Sequence, residues 1–148
     1  MTTYIQLTIK NDLSVLTYQS DDITLPIGLT NINGYRLQHS PITPYEAEMA
    51  IEHIENTIIP ARKLFPTGKI SLSCTNEELK QIPIDTIDLK QLISTSQIER
   101  AFNELVNVIN GGPSNSTTLP LDKSFSAFLL IIREITHHWG LEGITITK

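Results

Sequence analysis

Arg133-Glu134-Ile135-Thr136-His137-His138 gathers more versatile side chains into two helical turns than any other part of this chain. Glu134 and His137 stand three apart and Arg133 and His137 four apart, so on a helix all three meet on one face. A guanidinium there offers a planar fork to a carboxylate or phosphate. A carboxylate beside a histidine can move protons or help to hold a metal. Arg133, Glu134 and His137 are therefore the candidate ligand-binding residues, and periodicity places them opposite the main apolar stripe of their helix. Glu-x-x-His is also the element that di-iron bundles use twice, with two further glutamates. No second copy exists, because no glutamate lies three residues before His53. No metal-ligand set is complete, and no cofactor is implied. The competing reading is structural: histidines in a last turn, before Trp139-Gly140, suit the helix dipole and its free carbonyls.

Other reactive types are less organised. Glu48, Glu52 and Glu55 line one flank of an earlier helix, where a solvated acidic stripe is the simplest reading, and His53 points further out. Cys74 ends a strand-like run with no basic neighbour to lower its pKa, so it reads as a buried structural thiol. There is no Gly-x-Ser-x-Gly elbow. Lys123-Ser124 is preceded by Asp122 where a phosphate loop needs glycine, and Gly111-Gly112-Pro113 follows a helix instead of a strand. No residue is assigned a catalytic role. The polar segment Gly111 to Leu121 is longer than the roughly 2–8 residues usual between helices and is a candidate lid over a pocket edge.

These residues need elements to position them. Ile5, Leu7 and Ile9 alternate with Tyr4, Gln6 and Thr8, the period of a half-buried strand. Leu13 to Tyr18 continues as a hairpin partner, and Ile23, Leu25, Ile27 and Leu29 as a third strand that Pro26 pushes to an edge. Tyr35 to His39 reads as a fourth. Thr43-Pro44-Tyr45-Glu46 then combines a capping box with proline at the first helical position, and Ala47, Ile51, Ile54 and Ile58 follow at helical spacing up to Pro60. Ile70, Leu72 and Cys74 alternate as a strand. Thr75-x-x-Glu78 caps a short helix, and Asp85 to Ile93 holds another helical turn.

Ser96-x-x-Glu99 opens a second long helix whose face is Ile98, Ala101, Phe102, Leu105, Val106 and Ile109. Asp122 caps a third, which runs to about Trp139, with Phe125, Phe128, Leu129, Ile132, Ile135 and Trp139 on one face and Ala127, Leu130 and Ile131 widening it. Gly143 to Thr147 is a closing strand. Strands first and helices later predict a single α+β domain over 1–148, with about three helices on one face of a mostly antiparallel or mixed sheet. Phe125, Phe128, Ile132, Ile135 and Trp139, with Phe102 and Leu105, are expected to meet Ile5, Leu7 and Ile9.

Composition bounds the function. The 148 residues are 40% hydrophobic and 18% charged, enough for a core and against wholesale disorder. A net charge of −5 opposes phosphate backbones and anionic lipid, so neither nucleic acid nor a membrane is the expected partner. One cysteine excludes an internal disulfide, and the opening residues lack a signal-peptide pattern, which points to the cytoplasm. With no nucleophile, phosphate loop or metal set, the first expectation is a non-catalytic module for binding a protein partner or for self-association as a homodimer. The alternative is a small enzyme or ligand-binding domain, with an anion-accepting pocket near Arg133, Glu134 and His137 closed by the 111–121 loop.

Overall fold

The computed structural model describes residues 1–84 and 91–147. Among the described residues, six strands and three long helices follow one another. They are β1 (Thr2–Ile9), β2 (Ser14–Tyr18), β3 (Asp21–Leu25), α1 (Pro44–Ala61), β4 (Lys69–Cys74), β5 (Leu92–Ser94), α2 (Thr95–Ile109), α3 (Lys123–His138) and β6 (Gly143–Ile146). The sheet order is β3-β2-β1-β4-β6-β5. Tight turns make β1–β2 and β2–β3 antiparallel, whereas β4 is parallel to β1 and β6 is parallel to β4. The sheet is thus mixed, not mostly antiparallel. The reason is the helical connection: α1 between β3 and β4, and α3 before β6, return the chain to the same end of the sheet before the next strand starts.

β1 keeps its predicted alternation, with Ile5, Leu7 and Ile9 buried and Tyr4 and Gln6 exposed. The opposite face carries Tyr4, Gln6, Thr17, Ser71, Ser73 and Thr145 around a shallow recess. β3 is an edge strand, but it stops at Leu25, because Pro26 cannot donate to the ladder. Tyr35 to His39 is not a strand: isolated bridges join Ile27 to Ile32 and Ile32 to Tyr35, and the segment goes on without a ladder.

The helices begin and end on local chemistry. Thr43 and Glu46 form the expected capping box of α1, while Pro60 lies inside its last turn instead of ending it. α2 starts two residues before the expected box: Ser94 accepts from the Gln97 backbone N–H and the Gln97 side chain reaches back to Ser94. Asp122 caps α3 through the Phe125 N–H, 3.1 Å. Strand β5, Leu92–Ser94, overlaps the end of the stretch from Asp85 to Ile93 read as a helical turn, and residues 85–90 of that stretch lie outside the described residues. Glu77–Gln81 forms the short helix expected after β4, as a 3-10 turn, with Asn76 at its start making no side-chain cap.

α3 is the centre of the molecule. It packs against both α1 and α2, and Phe125 through Ile132 are buried without interruption in one core with Ile5, Leu7, Ile9, Leu72 and Ile144. Trp139 closes its C-terminal end by donating from Nε1 to the Ile58 carbonyl, 3.0 Å, with Phe65 against its ring. Among the described residues no helix is long and apolar enough to cross a membrane.

Candidate functional site

Two polar constellations lie at opposite ends of the sheet. The first is at the carboxyl ends of β1 and β4. β1 is the point where the chain's path divides, with antiparallel β2 on one side and parallel β4 on the other. Open sheets bind ligands beyond the carboxyl ends of parallel strands at such a point. There the Thr8 and Thr75 hydroxyls meet at 2.7 Å. Asn76 accepts from the Ile9 N–H at 2.7 Å and donates to the Ile9 carbonyl at 2.8 Å, so its amide continues the ladder where β4 has ended. The same amide donates to Glu78, 3.2 Å.

Lys10, exposed, opens the β1–β2 turn, which its own N–H closes on the Leu13 carbonyl, 2.8 Å. That turn is pinned from outside by Leu29 N–H on the Lys10 carbonyl and Thr30 N–H on the Asn11 carbonyl. Gly28 is required for this approach: a Cβ there would lie 2.5 Å from the Asn11 oxygen and 2.6 Å from the Leu13 nitrogen. Beside the Glu77–Gln81 turn, Glu77, Glu78, Gln81, Asp122 and Ser124 line an acidic recess.

The second constellation holds the residues that the sequence nominated. Arg133 donates from Nε to Glu99 at 2.9 Å and from Nη1 to Glu134 at 2.7 Å, and its guanidinium lies 4.3 Å from the centre of the Phe102 ring. Burial works against its charge, but the Glu134 and Glu99 carboxylates outweigh it, and its pKa stands above the ordinary arginine value. Glu134 is fully buried, contrary to the exposed face that periodicity assigned it. α3 is covered by helices on two sides, so the face opposite its main stripe is interior too. His137 is exposed and its ring meets only the edge of His138 in this cluster, 5.0 Å between centroids.

Arg133 and Glu134 are therefore brought together, while His137 stands apart. An anion at Arg133 would have to displace a carboxylate. The 111–121 loop lies at the other end of the α2–α3 hairpin, packed on α2 through Gly112 N–H to Asn107 and Thr117 to Glu104. Ten residues of helix put the start of α3 about 15 Å from Arg133, at ~1.5 Å per residue.

The remaining candidates differ in burial. Burial pushes the Cys74 thiol up to about 11, which leaves it protonated and inert at neutral pH. Glu48 and Glu52 are solvated as expected, and Glu55 is half-buried. His53 is also half-buried, set against Tyr35 with its ring nitrogen 3.2 Å from the Asn33 carbonyl.

Sequence reasoning missed Thr8, Lys10, Thr75 and Asn76. Their one signal is that polar residues cluster at the ends of two alternating runs, and it has no meaning until β1 and β4 are known to be parallel neighbours.

No family model and no curated protein matches this sequence. Solved structures do match its fold. The Aquifex aeolicus Ppx/GppA phosphatase, in its type II variant, superposes with a TM-score of 0.68 at 13% identity over 99% of this chain. This chain is similar in fold to Ppx/GppA phosphatases. Another structure of the Aquifex aeolicus PPX-GPPA enzyme also gives a TM-score of 0.68, at 14% identity, and an exopolyphosphatase-like protein gives 0.60 at 8%. The alignments cover 53%, 53% and 54% of those chains, so this chain spans about half their length. The likeness overturns the expectation of a non-catalytic binding or assembly module, since the matching structures named here are of Ppx/GppA phosphatases and an exopolyphosphatase-like protein. It favours the alternative of a small enzyme or ligand-binding domain.

Proposed function

We propose that this chain is a phosphoanion-binding domain of phosphatase type, with the anion seated at the carboxyl ends of β1 and β4. The observation that carries the reading is the fold likeness to Ppx/GppA phosphatases over nearly the whole chain. Support for the location comes from the parallel β1–β4 pair, whose carboxyl ends gather the Thr8 and Thr75 hydroxyls, with Lys10 two residues after Thr8 at the start of the β1–β2 turn. Hydroxyls and an ammonium suit phosphate oxygens: the first donate directional hydrogen bonds and the second acts as a point charge. A net charge of −5 and the Glu77–Glu78–Asp122 recess alongside mean that a multiply charged anion arrives best with a divalent counter-ion. Arg133 serves the fold in this reading, because Glu99 and Glu134 already occupy its fork.

Calorimetric titration with tripolyphosphate, with and without Mg²⁺, tests the proposal, alongside assays of phosphate release from polyphosphate. Lys10→Ala is expected to weaken binding by about tenfold, the equivalent of ~1.4 kcal/mol. Thr75→Val is expected to weaken it as well, and Glu99→Gln to leave it unchanged. No saturable binding at millimolar tripolyphosphate, or binding indifferent to both Lys10→Ala and Thr75→Val, overturns the reading.

A further inference from the structure

α1 and α3 meet at the amino end of the parallel strands, where three side chains converge on one point. Glu55 comes from α1, and Glu134 and His138, one turn apart, come from α3. One oxygen from each carboxylate and a ring nitrogen of His138 all lie within 4.8 Å of one another. His138 Nε2 is 2.8 Å from Glu55 Oε2 and 3.2 Å from Glu134 Oε1. A single ring nitrogen carries at most one proton, and here it faces two carboxylates. We propose that this cluster is a binding site for a divalent transition-metal ion, of which zinc is the best fit, with Glu55, Glu134 and His138 as ligands and a further position open to water.

Four arguments support the assignment. The donor set, two carboxylate oxygens and one imidazole, suits borderline ions such as zinc better than magnesium or calcium, which favour all-oxygen shells. Ligand atoms around a tetrahedral ion with bonds of ~2.0–2.1 Å stand about 3.3 Å apart, close to the spacing that His138 already keeps from Glu134.

The third argument is orientation. Glu134 is fully buried, and its second oxygen is held at 2.7 Å by Arg133, which is itself fixed by Glu99 and the Phe102 ring. Ligating carboxylates characteristically have such outer partners, which set their direction. The fourth is charge. Glu55, Glu134 and Glu99 supply three negative charges to this network against one from Arg133, so a divalent ion on a neutral imidazole balances it. The site is at the opposite end of the sheet from the proposed phosphoanion site and does not depend on it.

The test is titration of metal-free protein with Zn²⁺ by calorimetry, with Co²⁺ as a spectroscopic stand-in and Mg²⁺ as comparison. Expected is saturable one-to-one binding of Zn²⁺, visible Co²⁺ absorption of the intensity given by four-coordinate sites, a melting temperature raised by several degrees, and no comparable effect of Mg²⁺. Glu55→Ala, at a half-exposed position, and His138→Gln are each expected to weaken binding more than about tenfold, a loss that outer-shell changes alone can reach. His137→Gln alters the adjacent exposed histidine and is expected to bind normally. Circular dichroism of each variant without metal shows that it is folded. Absence of one-to-one Zn²⁺ binding in the unaltered chain overturns the proposal. So does binding that survives both Glu55→Ala and His138→Gln, or that is lost in His137→Gln.

Discussion

Glu46 does more than cap a helix. The residue is 4% exposed, and its carboxylate accepts from the backbone N–H groups of Gln38 and Thr43, with the ring of His39 3.0 Å away. Burial alone would raise its pKa, but these donors outweigh it and hold the group below the ordinary carboxylate range. A depressed folded pKa means stability that is present above the unfolded value, about 4.3, and is lost as pH falls through the folded one. Glu46→Gln is therefore expected to cost ~1.5–3 kcal/mol at pH 7, the usual range for hydrogen bonds to a charged group. The gap from the unaltered chain should narrow as pH drops below about 4. Urea unfolding at pH 7, 5 and 3 measures it, and a gap of constant size would refute this account. Residue types alone marked Glu46 as a capping residue. That it also ties down the Gln38–His39 segment is visible only once the chain before α1 is seen to fold back on it.

Among the elements, boundaries depend on which of two adequate local signals wins. Ser94-x-x-Gln97 and Ser96-x-x-Glu99 both satisfy the capping pattern, and periodicity favours neither. Strand β5 decides, because its pairing with β6 leaves Ser94 at the junction in extended geometry. Ser94→Ala is expected to lower stability by about 1 kcal/mol, and Ser96→Ala by less than ~0.5 kcal/mol, in chemical denaturation. Equal effects would mean that α2 starts elsewhere. The helices were legible because each carries an apolar stripe and a start signal. Tyr35 to His39 departs from its strand-like pattern because alternation over a few residues looks the same with or without a partner strand. Here the bridges of Ile32 leave no ladder for the segment to join.

At the scale of the whole molecule, α3 carries the core. Phe128 is fully buried on it, packed within the cluster that joins the sheet to α1 and α2. Phe128→Ala is expected to cost ~3–5 kcal/mol, a large share of the roughly 5–15 kcal/mol that holds a domain folded. Denaturant midpoints would read this directly, and a loss below about 1 kcal/mol would place the core elsewhere. The same centrality explains the polar residues. A helix covered by neighbours on two sides has little outer face, so Glu134 is buried and Arg133 half-buried, and they partner each other, Glu99 and His138.

Sequence alone was enough for much of the local structure: the period of β1 and of the long helices, the caps of α1 and α3, and therefore an α+β chain with three long helices and an apolar third one. Those follow from interactions a few residues apart, which a linear pattern records. Strand order and direction, the burial of Glu134, the choice of His138 over His137 and the meeting of Thr8 with Thr75 were decided by the tertiary structure. Each is set by residues far apart in the chain, and which partner faces which depends on how α1, α2 and α3 share one sheet.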